Sequence, residues 1–173
     1  MKIREGTSLD VDPIDRIAKA SFDPVYAFFA RRGVRRAKPL LVAEQDDMVA
    51  GFLEGFLFDG LPPIGYIYFI AVDIDHRQKG LGRALVLAAL DTFRAWKAAR
   101  VFASVPRDND ASRRLFERLG FAEVPRSALR RWYGWRGIGV RIRMVIAPHE
   151  VLLVRTFTDL PLAPAQKAPE PSS

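Results

Sequence analysis

The sequence predicts an α+β fold, on three observations. An apolar run at 66–72 passes through a polar segment into the glycine-bearing Arg77-Gln78-Lys79-Gly80-Leu81-Gly82-Arg83, and then into an Ala/Leu-rich stretch reaching about Lys97. The β-branched and aromatic run reads as a buried strand, and the Ala/Leu run as a buried helix. Upstream, residues 40–44 and 49–58 flank the turn Gln45-Asp46-Asp47, a hairpin with Glu54 as the sole charge inside its second strand. Downstream, a short strand at 101–105 is followed by a helical segment that closes at Gly120, and everything from 122 onward reads as β.

The remaining elements follow in order. Residues 2–4 form a short first strand. Asp12 reads as a helix N-cap with Pro13 at the first helical position, and Ile14, Ile17, Ala18 and Phe22 fall on one face. Asp23-Pro24 starts a second helix with Val25, Phe28 and Phe29 on its apolar side, closed by Gly33. Residues 59–63 make a turn. Pro106 ends the 101–105 strand, Asp108 or Asn109 caps the next helix, and Gly120 takes the C′ position. Residues 127–133 are expected as a strand. So is the stretch 140–146, where Val140, Ile142, Met144 and Ile146 alternate with Arg141, Arg143 and Val145. Ala147-Pro148-His149-Glu150 turns the chain into a last apolar strand at 151–157, an edge addition or a surface for pairing with a second copy in a homodimer.

Composition sets outer bounds. The 173 residues, 49% hydrophobic, suit one domain over 1–158, with a Pro/Ala-rich disordered tail at 159–173. The absence of Cys excludes disulfides, thiolate metal sites and a cysteine nucleophile. His76 and His149 lie far apart, so no metal is expected. There is no apolar run of membrane-spanning length and no signal-peptide core at the N-terminus, so a cytoplasmic protein away from membranes is expected. A net charge of +7 attracts acidic partners or anionic cofactors.

The loop before the long helix is where chemistry is expected. N–H groups at a helix N-terminus lack intrahelical partners and face anions favourably. Gly80 and Gly82 clear side chains from a phosphate's approach, and Lys79 and Arg83 add positive charge. The P-loop pattern is absent, and Leu85 stands where the dinucleotide fingerprint needs a third small residue. What remains, Arg77-x-x-Gly80-x-Gly82 after Ile70-Ala71-Val72-Asp73, resembles the pyrophosphate-binding motif of the GNAT family of acetyl-CoA-dependent N-acetyltransferases. A second block, from Asn109 to Gly120-Phe121, resembles that family's other signature, with Ser112 in place of its Ala and Phe116 in place of its Tyr.

The resemblance covers roughly residues 1–146 and implies a central mixed, mostly antiparallel twisted sheet with helices on both faces, the acyl-CoA N-acyltransferase fold. It implies acetyl-CoA as co-substrate. Backbone groups of Ile70, Ala71 and Val72 would hold the pantetheine arm, and amides of Gln78, Lys79, Gly80, Leu81, Gly82 and Arg83 the pyrophosphate. Asn109 would bond the cofactor arm, and Phe116 would border it without the tyrosine's proton donor. Ser104 stands where relatives acting on ribosomal-protein N-termini carry a Glu. The acceptor would be a primary amine of a small molecule or peptide. Tyr133 and Glu54 are the candidate catalytic groups; the alternative for Tyr133 is a rim or core aromatic, and for Glu54 a solvent-facing strand residue. Six arginines within 126–143 (Arg126, Arg130, Arg131, Arg136, Arg141 and Arg143), with those at 31–36, point to an acidic acceptor or else to a rim that steers the anionic cofactor. Phe116 and Ser104 keep open a non-catalytic acyl-CoA sensor. Nucleic acid ranks last as a partner, since no recognition motif accompanies the charge.

Overall fold

The structure is a computed structural model, and the residues described are 1–58, 62–144 and 146–157. The expected tail at 159–173 and turn positions 59–61 lie outside the described residues. In chain order the elements are β1 (Lys2–Glu5), α1 (Val11–Ser21), α2 (Pro24–Gly33), β2 (Leu40–Gln45), β3 (Met48–Phe58), β4 (Ile64–Val72), α3 (Leu81–Ala95), β5 (Arg100–Pro106), α4 (Asp110–Arg118), β6 (Ala122–Val124), α5 (Ala128–Met144) and β7 (Glu150–Thr156).

Among the described residues the strands form one open sheet in the order β1-β2-β3-β4-β5-β7-β6. Every pairing is antiparallel except β4 with β5. Period-2 alternation sorts side chains to the two faces. Leu41, Leu53, Ile67, Val101, Ala103 and Leu153 pack against α3 and against Phe116 and Leu119 at the α4 end. Val42, Phe52 and Phe69 pack under α1 and α2, while Tyr66, Phe102, Leu152 and Val154 pack under α5. The mixed, mostly antiparallel sheet with helices on both faces is therefore the observed architecture.

Local signals explain most element ends. Asp23 caps α2, its Oδ1 accepting from the N–H groups of Val25 and Tyr26 at 2.9 and 3.1 Å. Asn109 Oδ1 accepts from Ser112 N–H at 3.1 Å and caps α4. At the other end Gly120 is left-handed (φ 79°), and Phe121 N–H reaches the Phe116 carbonyl at 3.1 Å, a Schellman closure. The first helix starts earlier than its Asp12-Pro13 signal suggests. Asp10 occupies the position before it, gripped by Arg4 through two 2.8 Å bonds. That hydrogen-bonded guanidinium, foremost among the causes, holds the Asp10 carboxyl down to about 2.

Three expectations need correction. The residues at 128–133 and 140–144 are not in strands. They belong to α5, two helical pieces joined at Gly134, whose φ of 58° and ψ of −138° break the helix. The alternation misleads because Ile142 is 71% exposed, whereas Leu129, Val140 and Met144 are buried, the last two at the helical spacing of four. A Cβ on Gly137 would collide with the carbonyl of Leu129, so the two pieces pack only with glycine there. The final strand is not an edge: β7 lies between β5 and β6, with both its edges paired inside the chain. Gly33 does not end α2 by a left-handed turn. A Cβ there would meet the carboxylate of Glu54, which is fully buried on β3.

Candidate active site

β4 and β5 run side by side only from the Ile64–Arg100 pair to the Ile67–Ala103 pair. Beyond it, β4 stays with β3 and β5 stays with β7, so their facing edges part. A β-bulge marks the point of separation: Glu54 pairs with Phe69 and Gly55 with Ile67, leaving Tyr68 as the extra residue on β4. Bulges bend and twist a strand locally. This one also resets the alternation, so that Tyr66, Tyr68 and Phe69 join clusters on the α1/α2/α5 face, while Ile70 and Val72 pack toward α3. Between the parted strands lies a cleft of about 340 Å³, lined by residues 67–70 of β4 and 104–106 of β5.

At one end of β4 the chain forms the loop expected as an anion cradle. Gln78 and Gly80 both have positive φ (62° and 83°), which turns successive amides the same way. The first intrahelical bond of α3 runs from Ala84 N–H to the Gly80 carbonyl at 3.0 Å, so the N–H groups of Leu81, Gly82 and Arg83 have no acceptor within the helix. A Cβ on Gly80 would meet nothing within 4 Å, so its missing side chain leaves open space before those amides. Gly82 differs: a Cβ there would touch Leu115 and Val72 at ordinary distances of 3.5 and 3.8 Å. Arg77 braces the loop, its Nε donating to the Val72 carbonyl at 3.1 Å and its guanidinium to Ser21 Oγ at 3.3 Å.

Across the sheet the cleft is walled by Tyr26 of α2 and by the turn before β7. That turn is fixed at several points. Glu150 N–H bonds the Ala147 carbonyl at 3.1 Å, Ala147 N–H returns to Glu150 Oε2 at 2.9 Å, and Arg107 N–H holds the His149 carbonyl at 3.1 Å. Arg126 donates to the carbonyls of both Ala147 and Glu150. Tyr26 donates its hydroxyl to Glu150 Oε1 at 3.2 Å and lies 3.4 Å from His149 Nε2. Burial, with the Glu150 carboxylate second, pushes the Tyr26 hydroxyl up to about 12. Ser104, which lines the cleft, shares a 2.8 Å hydrogen bond with the buried Tyr66, and Tyr66 donates onward to the Met144 carbonyl at 3.1 Å. The charged and titratable side chains lining the cleft, among the described residues, are Asp23, Tyr26, Tyr68, Asp108, His149 and Glu150.

A split between two central strands that opens onto unpaired helix-start amides agrees with the two sequence signatures. The profile of the acetyltransferase (GNAT) family matches residues 10–121. The chain belongs to this family. A mycothiol acetyltransferase of Thermobispora bispora is 40% identical over 100 residues, covering 58% of this chain and 31% of the relative. An N-alpha-acetyltransferase of Sulfurisphaera tokodaii is 29% identical over 144 residues, covering 76% of this chain and 85% of its own. The chain spans between 18% and 41% of the length of the mycothiol acetyltransferases it matches. A solved structure of a putative GNAT acetyltransferase from Desulfovibrio desulfuricans superposes with a TM-score of 0.69 at 20% identity, covering 90% of this chain and 98% of that one.

Against this GNAT frame the predicted residues divide. Ile70, Asn109 and Phe116 line the cleft, and residues 71–83 continue from it into the cradle. Asn109 spends its oxygen on the α4 cap, so what it can offer a ligand is its amide N–H₂. Phe116 is 2% exposed and packs edge-on against Phe121 at 5.0 Å, where no hydroxyl can be supplied. Tyr133 and Glu54 do not line the cleft. Tyr133 accepts from Arg100 Nη1 at 3.1 Å, beside the first residue of β5 and therefore at the closed end of the strand pair. Burial raises its hydroxyl, and Arg100 opposes that. Glu54, with no hydrogen-bond partner for either oxygen, is pushed up to about 9 by burial alone. Of the arginines expected to face an acidic acceptor, Arg126 is spent on backbone carbonyls and Arg143 lies 4.9 Å over the Phe58 ring. Arg31, Arg32, Arg35 and Arg36 surround a separate groove with Val11 and Phe28. Trp132 packs under Arg100 at 4.5 Å, while Trp135 is 89% exposed. The sequence reads residues 147–150 only as a turn and weighs His149 only as a metal ligand. The long-range partner that gives the pair meaning, Tyr26, is 123 residues away.

Proposed function

We propose that this chain is an N-acetyltransferase that moves an acetyl group from acetyl-CoA to a primary amine of a small molecule or peptide. The observation carrying the proposal is the continuity of the split with the cradle: an open strand edge leads directly to unpaired amides at the start of α3. An extended pantetheine arm would add to the freed edge of β4 at 70–72 as a strand does. A diphosphate would accept from the amides at 78–83, aided by the α3 dipole. Asn109 would donate its amide to the arm. The cofactor fits these residues because the position before the amides, Gly80, is open space.

The chain's own groups then do the following. The cleft holds thioester and amine together, and such positioning is worth an effective molarity of roughly 10⁵ to 10⁸ M. Phe116 supplies no proton to the departing sulfur. A general acid is worth roughly 10² to 10⁴ in rate, so turnover is slow but retained, because a thiol with a pKa near 8.5 leaves acceptably as the thiolate. The carboxylates of Asp23, Asp108 and Glu150 around the cleft favour an acceptor with additional positive charge over the acidic acceptor that the arginine count suggests.

A second reading rests on one observation, the closed packing of Phe116 on Phe121. On it the chain binds acyl-CoA without turning it over. Isothermal titration with acetyl-CoA, followed by thiol release across cationic, neutral and acidic amines, separates the two. Binding with thiol release supports the transferase, and binding with silence across the amines supports the sensor. Absence of binding at millimolar acetyl-CoA defeats both.

A further inference from the structure

Within the proposed transferase reading, we propose that His149 is the general base that takes the proton from the acceptor amine, held in the required tautomer by Tyr26 and Glu150. An ammonium acceptor must lose a proton before its nitrogen can attack, and an amine with an ordinary pKa of about 10.4 is almost wholly protonated at neutral pH.

The cleft leaves few groups for that task. Glu150 has both oxygens engaged, Oε1 by the Tyr26 hydroxyl and Oε2 by Ala147 N–H, and the residue is 5% exposed. Asp23 is occupied in capping α2 through two N–H bonds. Ser104 gives its proton to Tyr66, whose own proton goes to the Met144 carbonyl. The Tyr26 and Tyr68 hydroxyls are held protonated by burial first, then by nearby carboxylates. What remains is His149, exposed on the cleft wall, and Asp108 beyond Pro106. Of the two, His149 has its side chain oriented by a hydrogen bond, to Tyr26.

The hydrogen bonds select its working nitrogen. A carboxylate only accepts, so the single Tyr26 proton is committed to Glu150 Oε1. The Tyr26 oxygen then accepts from His149 Nε2–H across 3.4 Å, which leaves the lone pair on Nδ1. The chain carboxylate–tyrosine–imidazole fixes the orientation of the ring, the logic of an oriented base. The turn carrying His149 is pinned by Arg126 and by Arg107 N–H, so the ring is presented by a fixed backbone.

The step balances as follows. R–NH₃⁺ gives one proton to Nδ1, directly or through one water, and the freed nitrogen pair bonds the thioester carbonyl carbon. The carbon–sulfur bond then breaks, its electron pair leaves on sulfur, and the second N–H proton passes through water to give the thiol. His149 releases its proton to solvent, so acetyl-CoA and R–NH₃⁺ yield the amide, CoA thiol and H⁺.

The test is steady-state thiol release by the full chain with acetyl-CoA and the fastest amine among a diamine, an amino acid and a short peptide. His149→Gln should lower kcat roughly 10²-fold and remove the ascending limb of the pH profile, with the KM for acetyl-CoA unchanged. Added imidazole should restore part of the rate to His149→Ala. Tyr26→Phe should cost less and displace the limb, as expected for a positioning residue. An active wild type whose His149→Gln variant keeps kcat within threefold and the same pH limb overturns this assignment alone. A wild type that binds acetyl-CoA and releases no thiol with any amine overturns the transferase reading, and the assignment with it.

Discussion

The two ends of the β4–β5 pair are built from similar sequence and do opposite things. At the closed end, Tyr66 and Phe102 are fully buried, Trp132 lies 6.2 Å from Phe102, and Arg100 is stacked over Trp132 and bonded to Tyr133. At the open end, Tyr68, Ile70 and Ser104 are half-buried and border a cleft. The difference lies in partners rather than in composition. One end gains α5 as a lid and the other gains a bulge at Tyr68 that turns its edge away. A strand pair thus becomes core where it is covered and a binding slot where it is pried apart.

The largest test compares packing at the two ends. Phe102→Ala should cost about 3–5 kcal/mol in urea unfolding, as deletion of a wholly buried aromatic does, and Ile70→Ala in the open half should cost clearly less. Equal losses would mean that the open end is packed as tightly as the closed one.

Glu54 sits where the two ends meet, paired with Phe69 at the bulge. Its carboxyl rises from 4.5 to about 9 on burial, so between those pH values the folded chain keeps a proton that the unfolded chain has released. Stability attributable to this group is therefore full below pH 4.5 and falls as pH rises toward 9. Glu54→Gln removes the titration and should gain up to about 3 kcal/mol at pH 7 while flattening the profile. Unfolding midpoints at pH 5, 7 and 9 check it, and an unchanged slope refutes the burial argument.

Smaller effects sharpen the reading of the open end. Gly80→Asp places a carboxylate in the open space before the amides and should weaken acetyl-CoA roughly thirtyfold, about 2 kcal/mol, by calorimetry. Gly82→Ala, whose Cβ has room, should change affinity by less than threefold. Between these two lies Phe116→Tyr: a hydroxyl returned to the cleft should raise kcat about tenfold, about 1.4 kcal/mol, provided that Phe121 yields space. No gain in kcat would show that the ring at 116 is sealed from the thioester.

Where sequence reading succeeded, the signals were local. The glycine loop, the caps at Asp23 and Asn109 and the closure at Gly120 each involve backbone within a few residues. Where it failed, the missing information was distant. Val140, Ile142 and Met144 alternate as a strand does, and only the burial of two of them on one face of α5 shows the helical period. Glu54 reads as a strand charge, and only Gly33, 21 positions away, reveals that it is buried. Tyr133 reads as a rim aromatic near the acceptor, and its contact with Arg100 puts it at the closed end.

The proposed cofactor side is legible in the sequence because it needs one short segment: positive-φ glycine, unpaired amides and a helix dipole are all written within residues 77–84. The proposed acceptor side arises from long-range packing. Tyr26, His149 and Glu150 come together through the sheet order that brings α2 and the β7 turn to one wall, and no spacing along the chain encodes a contact between residues more than 120 positions apart.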